Sequence, residues 1–183
     1  AYTGETAITG GTFIVADGSL AGSVLNNANL VIDGRVFGGL TNNGTALIGG
    51  QIDGPTVNNG AISSIGQSIY LGRFTQIDGA VFNLAGFNAS VGSLQGAGSV
   101  LLGTAFLTVG GDNTSSTFDG VISGTGGVVK NGTGTFTVNG VNTYTGTTFV
   151  RAGTLVVGDS VVVAPPPPPP APPVSPPPAP TAA

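Results

Sequence analysis

The chain of 183 residues contains no cysteine, histidine, methionine or tryptophan. Without cysteine there is no disulfide framework, thiol nucleophile or zinc knuckle; without histidine there is no imidazole base and no histidine metal ligand. Charge is scarce as well. Only 7% of residues are charged, against about 25% in an ordinary globular domain. Four Lys plus Arg against eight Asp plus Glu leave no basic stripe to displace counterions, so the composition argues against a nucleic-acid partner. Long apolar runs are missing too. The stretch from Val161 to Val174 is mostly proline, and nothing approaches the ~20 apolar residues of a membrane-spanning helix. The chain opens Ala1-Tyr2-Thr3 with no methionine, which reads as a processed or excised product from which any export signal is already gone.

What the chain has instead is glycine, proline and small apolar residues. With 40% apolar residues, a mean hydropathy of +0.37 and a net charge of only −4, it carries enough hydrophobic surface to offset chain entropy and little self-repulsion to oppose folding. Composition changes at Val161. Of the 13 prolines, 12 lie between Pro165 and Pro180, and only Pro55 precedes them. Two parts follow: a folded domain over 1–160 and a proline-rich linker or tail over 161–183. Proline fixes φ and lacks an N–H, so the tail reads as an extended, solvated polyproline II spacer reaching roughly 50 Å.

Upstream of the tail, strong helix formers are nearly missing, and Gly, Thr, Val, Asn and Ser fill the space. Asp-Gly pairs at 17, 33, 53, 78 and 119 and Asn-Gly pairs at 43, 59, 131 and 139 separate short Val/Ile/Leu/Phe/Thr runs. This is the punctuation of an all-β protein. Its spacing selects among β architectures. Asn26-Asn27, Asn42-Asn43 and Asn58-Asn59 recur every 16 residues, as do Leu20/Val36/Ile52 and Gly22/Gly38/Gly54, and Gly10-Gly11 reads as a fourth, earlier copy. A unit of 16 residues cannot bury its apolar face alone, so consecutive units must stack and share one core. The fold expected is a β-solenoid, with successive coils at the ~4.8 Å strand spacing. Asn27, Asn43 and Asn59 then form a column whose amides bond from rung to rung, beside Asn26, Asn42 and Asn58. A sandwich of hairpins competes on turn chemistry, but it has no reason to place Gly and Asn at one interval. From Gly66 to Gly92 the period fades.

Candidate chemical groups have turn-forming explanations. Asp17 and Asp33 would stack one rung apart, as polysaccharide-cleaving β-helices require of their acids, yet Gly49 stands at the next register and most Asp residues precede glycine, as turns demand. Ser63, Ser64 and Ser115 have no imidazole to activate them, and the single Lys130 lies in no serine–lysine motif. Gly110-Gly111-Asp112-Asn113 occurs once, where a calcium site of stacked repeats needs several copies. No catalytic residue, metal ligand or cofactor site is therefore assigned.

From about Val91 to Asp159 the chain resembles a known family. Leu94-Gln95-Gly96-Ala97-Gly98-Ser99-Val100 and Thr117-Phe118-Asp119-Gly120-Val121-Ile122-Ser123-Gly124-Thr125-Gly126-Gly127 are similar to the tract preceding the autotransporter-associated β-strand repeat. The repeat itself is matched by Val128-Val129-Lys130-Asn131-Gly132-Thr133-Gly134-Thr135-Phe136-Thr137-Val138-Asn139-Gly140-Val141-Asn142-Thr143-Tyr144-Thr145-Gly146-Thr147-Thr148 and closes with Ala152-Gly153-Thr154-Leu155-Val156-Val157-Gly158; Thr147 stands where the family commonly has a second glycine. The resemblance implies a right-handed parallel β-helical passenger region exported by a Gram-negative bacterium, either the passenger end of a precursor that carries an outer-membrane barrel or a related surface protein lacking the barrel. It does not imply one activity.

Physical reading of the same residues agrees. Phe136 and Val138 alternate with Thr135, Thr137 and Asn139, which sends apolar side chains inward, and Tyr144 reads as a cap over a corner. The functions expected are a surface-exposed structural or adhesive solenoid contacting glycans or cell surfaces, or a subunit stacking end to end into an extracellular fibre through unpaired end rungs. A β-helical polysaccharide-cleaving enzyme is the least favoured of the three.

Overall fold

Alternation of inward and outward residues builds each strand. In Asn29–Ile32 the buried residues are Leu30 and Ile32, while Asn29 and Val31 face out; Thr45–Ile48 buries Ala46 and Ile48 in the same way. β-Branched and apolar residues suit this half-buried pleat, and the Asn, Asp and Gly between strands turn the chain. A computed structural model describes residues 3–158 and the backbone of Ser160–Val163. Residues 164–183, the body of the proline-rich tail, lie outside the described residues. The strands stack in parallel as a β-solenoid of about 8 turns, and no described residue is helical. At ~4.8 Å per rise the stack is about 40 Å long.

Each turn contributes strands to three columns. The first contains Thr6–Ile8, Val24–Asn26, Leu40–Asn42, Thr56–Asn58, Ser116–Phe118, Thr135–Val138 and Thr154–Val157. A second runs from Thr12–Val15 through Asn29–Ile32, Thr45–Ile48, Ala61–Ser64, Val81–Asn83 and Ser99–Leu101 to Val121–Ser123. Ser19–Leu20, Arg35–Val36, Gln51–Ile52, Phe106–Val109, Gly127–Lys130 and Thr148–Val150 make the third. Two longer strands, Ile69–Gln76 and Ala89–Gly96, run through the corner between the third and first columns and join them into one sheet. Among the described residues every pairing is parallel except the last, where Ser160–Val163 folds back antiparallel on Thr154–Val157 and occupies the final edge of the first column.

The core is the stack of inward rows. Leu30, Ala46, Ile62, Phe82, Val100 and Ile122 lie in register along the second column and are almost completely buried. Phe74 packs edge-on against Phe82 with ring centroids 4.9 Å apart. Each of the larger side chains, worth about 1.5–3 kcal/mol of burial, packs between the rung above and the rung below. Losing one therefore loosens two interfaces.

Register also sets the length of each turn. Val24 to Leu40 and Leu40 to Thr56 are 16-residue steps, and the same step stacks the corner glycines. A Cβ on Gly50 would lie 1.8 Å from the Gly34 carbonyl oxygen, and one on Gly34 2.1 Å from that of Gly18. Only glycine lets these corners stack so closely. Elsewhere the step lengthens: Thr56 pairs with Phe74, Phe74 with Leu94 and Gly96 with Phe118. The extra residues go into corners. The segment Gly110 to Ser115 forms one, where Asp112 accepts hydrogen bonds from the N–H (3.0 Å) and hydroxyl (2.7 Å) of Thr114.

The first turn departs from the 16-residue expectation. Asn26 pairs with Ile8, not with Gly10, so Gly10-Gly11 is not a copy of Asn26-Asn27. Gly11 takes a left-handed φ of 72° in a longer corner, and Asp17 takes 41° in the next. Thr12 accordingly pairs with Asn29, 17 residues on.

Candidate functional site

The strand period of two places Asn26, Asn42 and Asn58 on the same side as Val24, Leu40 and Thr56, facing the interior. All three asparagines are fully buried. Asn26 Nδ2 donates to Asn42 Oδ1 at 2.7 Å, Asn42 Nδ2 to Asn58 Oδ1 at 2.8 Å, and Asn58 Nδ2 to Gln76 Oε1 at 3.0 Å. Each amide also reaches the next turn's backbone: Asn26 to Thr45 O, Asn42 to Ala61 O, Asn58 to Val81 O and Gln76 to Ser99 O, all at 3.0–3.1 Å. The amide oxygens accept from their own corners, Ala28 N–H on Asn26 and Gly60 N–H on Asn58. A buried amide is costly unless bonded, and here every one bridges two turns. The file stops where Ile8 precedes it and Gly96 follows it in register.

Asn27, Asn43 and Asn59 form a second file on the surface. Asn43 Nδ2 donates to Asn27 Oδ1 and Asn59 Nδ2 to Asn43 Oδ1, each at 2.6 Å. The buried file donates toward the C-terminal end of the stack and the exposed file toward the N-terminal end. Their amide dipoles therefore oppose one another at the shared corner. Sequence reasoning missed Gln76 because an 18-residue step separates it from Asn58; the signal available was the repeated order of inward residue, β-branched or apolar residue and amide in Thr56-Val57-Asn58 and Phe74-Thr75-Gln76.

Lys130 was also missed as a core residue. It pairs with Val109 on one side and Val150 on the other, in the inward row that contains Leu71 and Val91, and is fully buried. Its ammonium donates to the carbonyls of Gly132 (2.8 Å) and Ala152 (3.4 Å) and to that of Asn131. Burial pushes its pKa below the ordinary lysine value, against the opposing pull of the Asp112 charge. Burial of Asp112 works to raise its own pKa, but hydrogen bonds from Thr114 and Ser93 and the charge of Arg73 hold it below the usual carboxylate range. Tyr144 packs against the core, and its hydroxyl meets that of Thr148 at 2.7 Å.

The remaining acids sit in corners. Asp53 is paired with Arg35 at 2.8 Å, and this bond pulls its pKa down. Arg35 in turn lies 4.6 Å over the Phe37 ring. Asp33 accepts a 3.3 Å bond from Gln67. These arrangements fasten turn to turn.

Residues 128–157 match the model of a family described as passenger-associated-transport-repeat, over the segment that resembles the autotransporter-associated β-strand repeat. No curated protein matches the chain, and no solved structure does. The repeat and the solenoid together fit an autotransporter passenger.

Proposed function

We propose that the chain is a non-enzymatic, surface-exposed structural or adhesive solenoid of an autotransporter-like protein of a Gram-negative bacterium. The observation that carries this reading is the position of the passenger-associated repeat at 128–157, built into the last turns of a continuous parallel stack. Amide files bond turn to turn and side-chain bonds cap the corners. A rigid rod with few charges and many outward Thr, Asn and Ser residues suits display at a distance from the cell. Binding then falls on the exposed faces of the turns and not in a deep pocket.

Antibody against the chain, applied to intact and to permeabilised cells of the bacterium that encodes it, tests display. Labelling of intact cells is expected; labelling only after permeabilisation overturns it. Adhesion is tested separately, by asking whether the purified chain competes with those cells for attachment to host or sister cells. Competition is expected, and attachment unchanged at saturating chain overturns the adhesive role.

A further inference from the structure

On the outer face of the third column, Thr108, Val129 and Phe149 lie in one file in register. Val129 faces out yet is only 5% exposed. It forms the floor of a cleft of about 290 Å³ lined by Asn88, Phe106, Thr108, Val129, Phe149 and Arg151. The Phe106 and Phe149 rings are 37% and 47% exposed, with centroids 6.2 Å apart and planes inclined by 39°. Gly127 makes room for the first of them: a Cβ there would meet Phe106 Cε1 at 2.5 Å. Other apolar side chains of the chain are also exposed, but these two rings lie together on one face and share a cleft.

The polar groups around the rings share one character. Asn88 Oδ1 accepts the Phe106 N–H at 2.8 Å, which leaves its NH₂ as a donor. Thr108 offers a hydroxyl, and no carboxylate lines the cleft. Arg151 is the decisive member. Of the four basic residues, Arg35 is paired with Asp53 and Lys130 is buried on carbonyls, whereas neither Arg73, whose charge reaches Asp112, nor Arg151 makes an ion pair with any described residue, and only Arg151 lines this cleft. A net-negative chain thus places a cation with no ion-pair partner among the described residues beside two aromatic faces.

We propose that this cleft binds a saccharide bearing a carboxylate. The C–H face of a pyranose packs on aromatic rings, its hydroxyls accept from the Asn88 amide and the Thr108 hydroxyl, and the guanidinium takes the carboxylate through two parallel bonds. The volume falls just below the range of small-ligand sites, roughly 300–1,000 Å³, and so fits one sugar ring with its neighbours in solvent. This inference rests on the surface-display reading, since a glycan must reach the face.

Titration of the full chain with tri-galacturonic acid, and with maltotriose as the uncharged control, followed by ¹H–¹⁵N NMR, tests it. Saturable shifts at 106–108, 127–130 and 149–151 are expected, with at least tenfold weaker binding of maltotriose and of the acid by Arg151→Gln. Phe149→Ser should abolish binding; should that variant fail to fold, Arg151→Gln decides alone. The proposal is overturned by absence of saturable shifts, by shifts confined to other faces, by unchanged binding in Arg151→Gln, or by occupation of the cleft by a peptide of residues 164–183 that the acid cannot displace. Because the titration uses purified chain and display is read on cells, either reading can fail without the other.

Discussion

Truncating Asn42 to alanine probes the buried amide file at its centre. The side chain accepts from Asn26 at 2.7 Å and donates to Asn58 at 2.8 Å and to the carbonyls of Gly44 and Ala61 at 3.1 Å. Neighbouring amides keep other partners, Asn26 the Thr45 carbonyl and the Ala28 N–H, and Asn58 the Gln76 amide oxygen, the Val81 carbonyl and the Gly60 N–H, so no amide is orphaned. Four hydrogen bonds, two of them buried and two part-buried, at a net ~1 kcal/mol each and partly shared between two donor hydrogens, give a loss of about 3–4 kcal/mol including the small void. Asn43→Ala, one residue along, removes two bonds at 2.6 Å. These are exposed, and water replaces them, so the cost is under about 1 kcal/mol. Urea unfolding followed by far-ultraviolet circular dichroism measures both. Equal losses, or a larger loss for Asn43→Ala, would refute the assignment of Asn42 to the interior.

Three further outcomes follow from the same geometry. Gly50→Ala forces a Cβ onto the Gly34 carbonyl oxygen at 1.8 Å and should cost about 3 kcal/mol, whereas a neutral effect in a melting experiment would mean that the corners are not stacked. The Thr56 hydroxyl is fully buried and finds no partner among the described residues, so Thr56→Val should stabilise by about 1 kcal/mol; destabilisation would contradict this. For Lys130, burial sets the folded pKa below its ordinary 10.5. The unfolded chain therefore binds more protons between the depressed value and 10.5, and stability rises with pH across that window. Against Lys130→Met, the wild-type stability should gain as pH climbs toward 10.5, and a falling difference would reverse the sign of the argument.

The solenoid was legible where sequence and register share a step. Val24 to Asn58 repeats at 16 residues in both, because the corners there have no insertion and the glycines permit none. Past Gly66 the columns persist but the corners lengthen, so Phe74, Leu94 and Phe136 continue rows that no fixed interval reveals. Gly10-Gly11 misled for the opposite reason. Its glycines mark a longer first corner with a left-handed residue, and similarity of composition hid a shift of pairing to Ile8. Strand parity placed Phe136 and Val138 inside, and it places Lys130 inside with Val128 by the same rule. A charged side chain nonetheless reads as outward unless three carbonyls await it, and those belong to the corner at Asn131 and Gly132 and to Ala152 one turn on. The Phe106–Phe149 cleft joins residues 43 apart through two register steps, which a faded period conceals.

Stacking of successive turns is tested most directly by disulfide closure, for which the absence of native cysteine leaves a clean background. Leu25, Thr41 and Val57 are in register on three consecutive rungs. Thr41→Cys with Val57→Cys spans one rise of ~4.8 Å, within disulfide reach, and Leu25→Cys with Val57→Cys spans two, about 10 Å, beyond it. The parallel stack requires rapid intramolecular oxidation of the first pair and none of the second, read by mass spectrometry of the monomer. Closure of the second pair, or failure of the first in folded protein, would contradict the architecture.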